Sequence, residues 1–320
     1  YAIKAGDRLR GNTIQRQIQN RILLATVGGG ILRNKLPLVR FHAEGLPDPI
    51  REAMAMDYFS EWNFSEGVLR GIMDNPAFIR TWNEILTTFT RLWEKTKKSW
   101  GKKTLDTMTR NPLQRAQNVE QHTLSFVLPG MSEPLRAFLD LPIVIGEQEY
   151  PSLRSAFEKM QAFDPPRFSV ACHNDLNCDN LVVRPDGDWA VIDWEWVTEC
   201  ADWRMSLSHL IGWWWANTSR QIQAPSVIVQ DGKLVLTSSL ELPSVCYSFM
   251  HDAFNIGAAY RKKTNESKRW REQVHRYLAT LFIGEMRFAH PRGRDAYTID
   301  LLALGIKALY DPTLLFPEPT

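Results

Sequence analysis

The chain has 320 residues, 44% of them hydrophobic and 23% charged, which is enough to bury a core and to fill two lobes. Its net charge of +2 gives no case for a nucleic-acid or anionic-membrane partner. No apolar run reaches the roughly 20 residues of a transmembrane helix. The four cysteines, Cys172, Cys178, Cys200 and Cys246, form no C-x-x-C, which argues against zinc and disulfide staples and for a reducing, cytoplasmic compartment. No signal peptide is expected, and the first residue is Tyr rather than Met, so the natural start is expected upstream.

In chain order, Tyr1-Ala2-Ile3-Lys4 reads as the end of a strand. Residues 13–27 read as a helix with Ile14, Ile18, Ile22 and Leu23 on one face, ended by the loop Gly28-Gly29-Gly30. Residues 36–41 and 53–58 read as strands. Residues 76–98 predict a long amphipathic helix through Phe78, Trp82, Ile85, Leu86, Phe89, Leu92 and Trp93, with a solvated lysine-rich run at 95–103. Residues 110–141 predict two helices broken by Pro129-Gly130, and 152–163 one more. A hairpin turning at Asp231-Gly232 is expected within 227–236, then helices over 242–261, 267–286 and 296–309.

The most informative stretch is 170–195. Apolar runs at 169–172, 181–183 and 189–192 read as short strands, and Pro185-Asp186-Gly187-Asp188 as a turn. His173, Asp175 and Asn180 lie between the first two runs; Asp193 and Glu195 follow the last. Transfer of a phosphoryl group from ATP needs an oriented hydroxyl and Mg²⁺ to neutralise developing charge. A loop carboxylate can accept the hydroxyl's hydrogen bond, and an amide oxygen with a second carboxylate can hold a metal that prefers hard oxygen ligands.

The wording H-N-D-L-x-x-x-N-L followed by V-I-D-W-E resembles the catalytic core of the aminoglycoside phosphotransferase and choline/ethanolamine kinase family, relatives of the protein kinases. The resemblance implies an α+β, two-lobed protein-kinase-like fold, with a small β-rich N-lobe over 1–60 that lacks its start and a helical C-lobe over 61–320. It implies Asp175 as catalytic base, His173 as a brace of the loop, and Asn180 and Asp193 as Mg²⁺ ligands with Glu195 auxiliary to the metals. Lys4 becomes the ATP-binding lysine, and Met56, Asp57 and Tyr58 the hinge whose backbone meets adenine. Two departures stand out. The helix at 13–27, whose place calls for a glutamate facing the lysine, holds Gln15, Gln17 and Gln19 and no acid. Where a second loop-bracing aspartate is expected stands Ser206, with Asp202 nearby.

The expectation is therefore an ATP- and Mg²⁺-dependent phosphotransferase whose partners are a nucleotide and a small hydroxylated acceptor, with no nucleic acid and no membrane. The resemblance sets the acceptor against the C-terminal helices. Trp203, Trp213, Trp214, Trp215, Tyr247, Phe249, Phe254 and Tyr260 there suit an aromatic or choline-like acceptor, or fill the core. An aminoglycoside calls for clustered acids, and Glu266, Glu272, Glu285, Asp295 and Asp300 are scattered. The alternative is a catalytically weak binding protein on the same scaffold. A protein kinase fits less well, because W-E replaces F-G after Asp193 and no A-P-E follows.

Overall fold

The computed structural model describes residues 2–6, 14–44, 52–99, 102–289 and 294–316, with the backbone alone for residues 3, 5, 6 and 102–111. Tyr1, Thr13, Trp100 and Gly101, which the sequence reading assigns to the first strand, the first helix and the lysine-rich run, lie outside them. The fold is mixed α+β, a helical bulk with small sheets. Among the described residues no helix is long and apolar enough to cross a membrane. The chain divides into two compact units, Tyr1–Ser99 with Phe168–Ser206, and Trp100–Arg167 with Leu207–Thr320.

The first unit opens with β1 (Ala2–Gly6), α1 (Ile14–Thr26), β2 (Val39–Glu44) and β3 (Glu52–Met56). The strands form an antiparallel sheet in the order β1-β3-β2, pairing Lys4 and His42 with the two sides of Met54. The face α1 buries is not its isoleucine stripe: Ile14, Gln17 and Leu24 are buried, and Ile22 is 55% exposed. The expectation of an Ile14–Ile18–Ile22 face is corrected accordingly, because α1 packs on a turn around Trp194 rather than on a purely apolar surface. Three left-handed glycines, 28 to 30, end the helix as the sequence suggests.

Helix α2 (Phe64–Arg70) is capped by Asn63, and α3 (Asn75–Thr96) by Asp74 with Pro76 in its first turn. The predicted stripe of α3 is buried, with Phe89 against Trp189 and Trp93 against Trp203 at centroid distances of 6.3 and 6.0 Å. Each such side chain is worth about 1.5–3 kcal/mol of burial, so α3 is the spine of this unit.

In the second unit, α4 (Lys102–Leu124) is followed not by a second helix but by a short 3-10 turn at Leu135–Phe138 and by strands β4 (Ile143–Ile145) and β5 (Gln148–Tyr150). Pro134 and Pro142 bracket that segment and deny it helical N–H groups. Helix α5 (Leu153–Gln161) then closes the first part of the unit.

The chain returns to the first unit for β6 (Val170–Cys172), β7 (Leu181–Val183), β8 (Trp189–Val191) and β9 (Thr198–Ala201). Strand β6 pairs with β9, and β7 with β8. The segment after β3 runs beside β7, where Val183 N donates to Trp62 O.

Helix α6 (Trp203–Thr218) leads into β10 (Arg220–Gln221), β11 (Ser226–Gln230), β12 (Lys233–Thr237) and β13 (Leu240–Glu241). The β11–β12 hairpin turns at Asp231 (φ 50°) and Gly232 (φ 71°), as its sequence predicts. It joins β4 in parallel to make the sheet β11-β12-β4-β5. The remainder is α7 (Ser244–Thr264), α8 (Trp270–Ala289) and α9 (Tyr297–Tyr310). Gly305 lets α9 lie against α8, since a Cβ there would clash with the Ile283 side chain.

Candidate active site

All the sequence-nominated site residues belong to the first unit. The loop between β6 and β7 is built on its own side chains. Asn177 Oδ1 accepts from the N–H groups of Asp179 (2.9 Å) and Asn180 (3.0 Å), and Asn177 Nδ2 donates to Asp175 Oδ1 at 3.1 Å. Asn180 Nδ2 donates to Asp175 O (2.8 Å) and to Asp175 Oδ2 (3.0 Å). Two amides thus hold the Asp175 carboxylate, one on each oxygen. Asn174, at φ 61°, adopts the left-handed conformation that Asn and Asp tolerate best, and its Nδ2 donates to Trp196 O at 3.0 Å.

His173 is fully buried, and its Nε2 donates to Ile192 O at 3.0 Å. Burial pushes its imidazole below the usual histidine range, so the ring is neutral at pH 7. This bond ties the residue after β6 to the residue before Asp193. Cys172, one residue earlier, has its thiol pushed up to about 12 by burial and is inert as a nucleophile.

Asp193 also takes a left-handed conformation (φ 58°, ψ 65°), which starts the 3-10 turn Trp194–Trp196. Lys4 Nζ lies 2.6 Å from Asp193 Oδ1. The next carboxylate, Glu195, accepts from Gln17 Nε2 at 3.3 Å. Burial raises the Glu195 carboxyl above its ordinary range, the Asp193 charge adds to this, and the Lys4 charge opposes it. Asn20 Nδ2 donates to Trp194 O (2.8 Å) and Glu195 O (3.0 Å), so α1 grips this turn by side chain and main chain together.

No protein-family model matches the chain, and no curated protein sequence matches it. The site is therefore read from its own chemistry.

The structure brings Lys4 to Asp193, Asp175 to Asn180, and His173 to the strand end that carries Asp193. Of the residues nominated for a hinge, Asp57 donates its N–H to Leu38 O, and its carboxylate takes both Arg40 Nε (2.7 Å) and Nη2 (2.8 Å), which holds it below the usual range. Tyr58 is exposed. Among the described residues no three His, Cys, Asp or Glu side chains cluster as a metal site. Mg²⁺ asks for less, one or two protein oxygens beside phosphates and waters. Asn180 Oδ1 and the Asp193 carboxylate are oxygens of that kind, and it is the Nδ2 of Asn180, not its oxygen, that bonds Asp175.

Sequence reasoning passed over Asn177 and Asn20, and noted Gln17 only as one of three glutamines in a helix without an acid. Asn177 carries a readable signal, because an Asn two residues after an Asp in a loop is apt to bond nearby backbone. Asp202, noted only as a neighbour of Ser206, is buried and accepts from Arg204 N, Nε and Nη2 at 2.8–3.0 Å. Among the aromatics considered for an acceptor, Trp203, Trp214, Phe249 and Tyr260 are buried core, with Trp214 and Phe249 at 4.9 Å. Glu266 serves the backbone of Arg167 and Ser267, and Asp300 serves Gln221 and Ser238.

Proposed function

We propose that the chain is an ATP- and Mg²⁺-dependent O-phosphotransferase acting on a small hydroxylated molecule, similar to the aminoglycoside phosphotransferase and choline/ethanolamine kinase family. The observation that carries this reading is the ion pair of Lys4 with Asp193, two residues 189 positions apart that the reading nominates independently for phosphate and metal. The strand order β1-β3-β2 supports it, because in a kinase N-lobe the lysine strand lies beside the strand that leads to the hinge. Cys172, Cys178, Cys200 and Cys246 form no disulfide, which favours a cytoplasmic location.

In this reading Asp175 accepts the hydrogen bond of the acceptor hydroxyl and takes its proton as transfer proceeds. Asn177 and Asn180 fix the carboxylate's orientation, which lowers the barrier by positioning rather than by covalent chemistry. Mg²⁺, held by Asp193 and Asn180 with Glu195 near, would supply charge neutralisation on the phosphates. Lys4 leaves Asp193 to bind the α and β phosphates. His173 remains neutral and keeps the loop on the end of β8.

Substituting Asp175→Asn tests the assignment. Turnover of Mg·ATP, stimulated by an acceptor drawn from choline, ethanolamine, aminoglycosides, macrolides, sugars and hydroxylated aromatics, is expected to fall by about 10²–10⁴. The fold and ATP-analogue binding are expected to persist. Undiminished turnover in Asp175→Asn would remove its role.

A second reading has a specific observation in its favour. Gln17 faces Glu195, and α1 carries no acid for Lys4. A catalytically weak scaffold that binds a nucleotide or another ligand would tolerate that arrangement. Calorimetry separates the two: absence of Mg·ATP binding favours the binding protein, whereas tight Mg·ATP binding without turnover points to an acceptor outside the panel.

A further inference from the structure

Helix α1 turns a glutamine into its buried face. Gln17 is 2% exposed, its Nε2 donates to Glu195 Oε2, and its Oε1 is buried with no hydrogen bond among the described residues. A buried amide with one half unpaired is a poorer core residue than a methionine of the same length. Its presence is therefore explained by what the other half holds. The main chain of the Trp194–Trp196 turn is already fixed by Asn20, and Arg16 and Arg21 lie over the Trp196 and Trp194 rings at 5.9 and 5.8 Å. What Gln17 adds is a hold on the Glu195 carboxylate.

The charge arrangement explains why this residue is neutral. Asp193 and Glu195 are two carboxylates on one short turn, and the nearby cation, Lys4, bonds Asp193. An acid at position 17 would put a third negative charge there. An amide N–H fastens one oxygen of Glu195 without adding charge, as outer hydrogen bonds fasten carboxylates around metals. Lys4, bonded to Asp193, leaves Gln17 Oε1 without a donor, so Gln17 is not its partner.

Resting on the phosphotransferase reading, we infer that Gln17 is a positioning residue for Glu195, holding that carboxylate beside Asp193 for a divalent cation, and not a partner of Lys4. It sets metal affinity, and it leaves nucleotide binding in the absence of metal untouched.

A double-mutant cycle on the full chain tests this. Gln17→Met, Glu195→Gln and the double variant are compared with the wild type. Mn²⁺ binding in the presence of a non-hydrolysable ATP analogue is followed by electron paramagnetic resonance, and binding of the metal-free analogue by calorimetry. Gln17→Met is expected to weaken Mn²⁺ binding about tenfold, with metal-free analogue affinity unchanged and the thermal midpoint no lower. In the Glu195→Gln background it is expected to add less than about twofold, because the two residues act as one unit. Undiminished Mn²⁺ affinity, additive losses, or a loss confined to metal-free analogue binding would each overturn the inference while leaving the phosphotransferase reading in place. Mn²⁺ binding by the wild type no tighter than by Asp193→Asn would remove that reading, and the inference with it.

Discussion

The ammonium of Lys4 sits 2.6 Å from Asp193 Oδ1, so one ion pair joins β1 to the turn that follows β8. Both side chains are 34% exposed, and an ion pair so accessible to water is worth about 1 kcal/mol or less. It is strong enough to order both groups and weak enough to be parted by a cation and a phosphate. Because α1 carries no acid, Asp193 is the counter-ion on which Lys4 rests. Replacing Lys4→Met should therefore expose Asp193 to metal. The nucleotide-free chain is expected to bind Mn²⁺ about fivefold more tightly, in keeping with the loss of a competing charge of that worth. Binding of the ATP analogue is expected to weaken. Titrating Mn²⁺ against both proteins checks this, and equal affinities would mean that Lys4 and the metal do not compete.

Asn177 is the residue on which the loop between β6 and β7 closes. It accepts from two backbone N–H groups and donates to Asp175, all while 4% exposed. Asn177→Ala removes the acceptor from both N–H groups and one of the two amides that orient Asp175. The loss in stability is expected to be about 2 kcal/mol or more, read as a shift in the urea midpoint. At temperatures where the variant remains folded, kcat should fall further than KM rises, because the lost contact orients the base rather than binding substrate. An unchanged kcat in a folded Asn177→Ala would mean that Asn180 alone fixes the carboxylate.

What was legible in the sequence is what local chemistry decides. The stripe of α3, the Asp231-Gly232 turn and the order of His173, Asp175, Asn180 and Asp193 follow from neighbours a few residues away. What was not legible depends on distant partners. Ile14, Ile18 and Ile22 suggested the buried face of α1, yet Asn20 bonds Trp194 across 174 positions, and that contact turns Gln17 inward and Ile22 outward. The three-residue strand β4 is too short to show alternation, and its parallel partner β12 lies some ninety positions on. The second helix expected within 110–141 fails for a local reason that was available, the prolines at 134 and 142. The grip of Asn177 on Asp175 was half visible, since the residue type suits a turn but its choice of the Asp175 carboxylate as partner belongs to the folded loop.

The second unit carries a titration that is independent of the site. His275 packs edge-on to Phe254 (6.0 Å) and stacks on Phe316 (6.4 Å, 6° between planes). Burial lowers its imidazole to about 4, and the charges of Arg271 and Lys159 add to that. In the unfolded chain the ring titrates near its ordinary 6.5. Between these values the unfolded state binds the proton and the folded state does not, so stability is lost as the pH falls from 6.5 and levels off below about 4. The full effect is on the order of 3 kcal/mol, from a shift of that size at about 1.36 kcal/mol per unit. Carboxylates titrate in the lower part of the same window, so the informative quantity is the difference between proteins. His275→Leu keeps an apolar body between the two rings and has no proton to bind. Its urea midpoint, measured at pH 7, 5.5 and 4.5, is expected to fall less steeply than that of the wild type. Parallel curves would show that the imidazole is solvated well enough to charge in place.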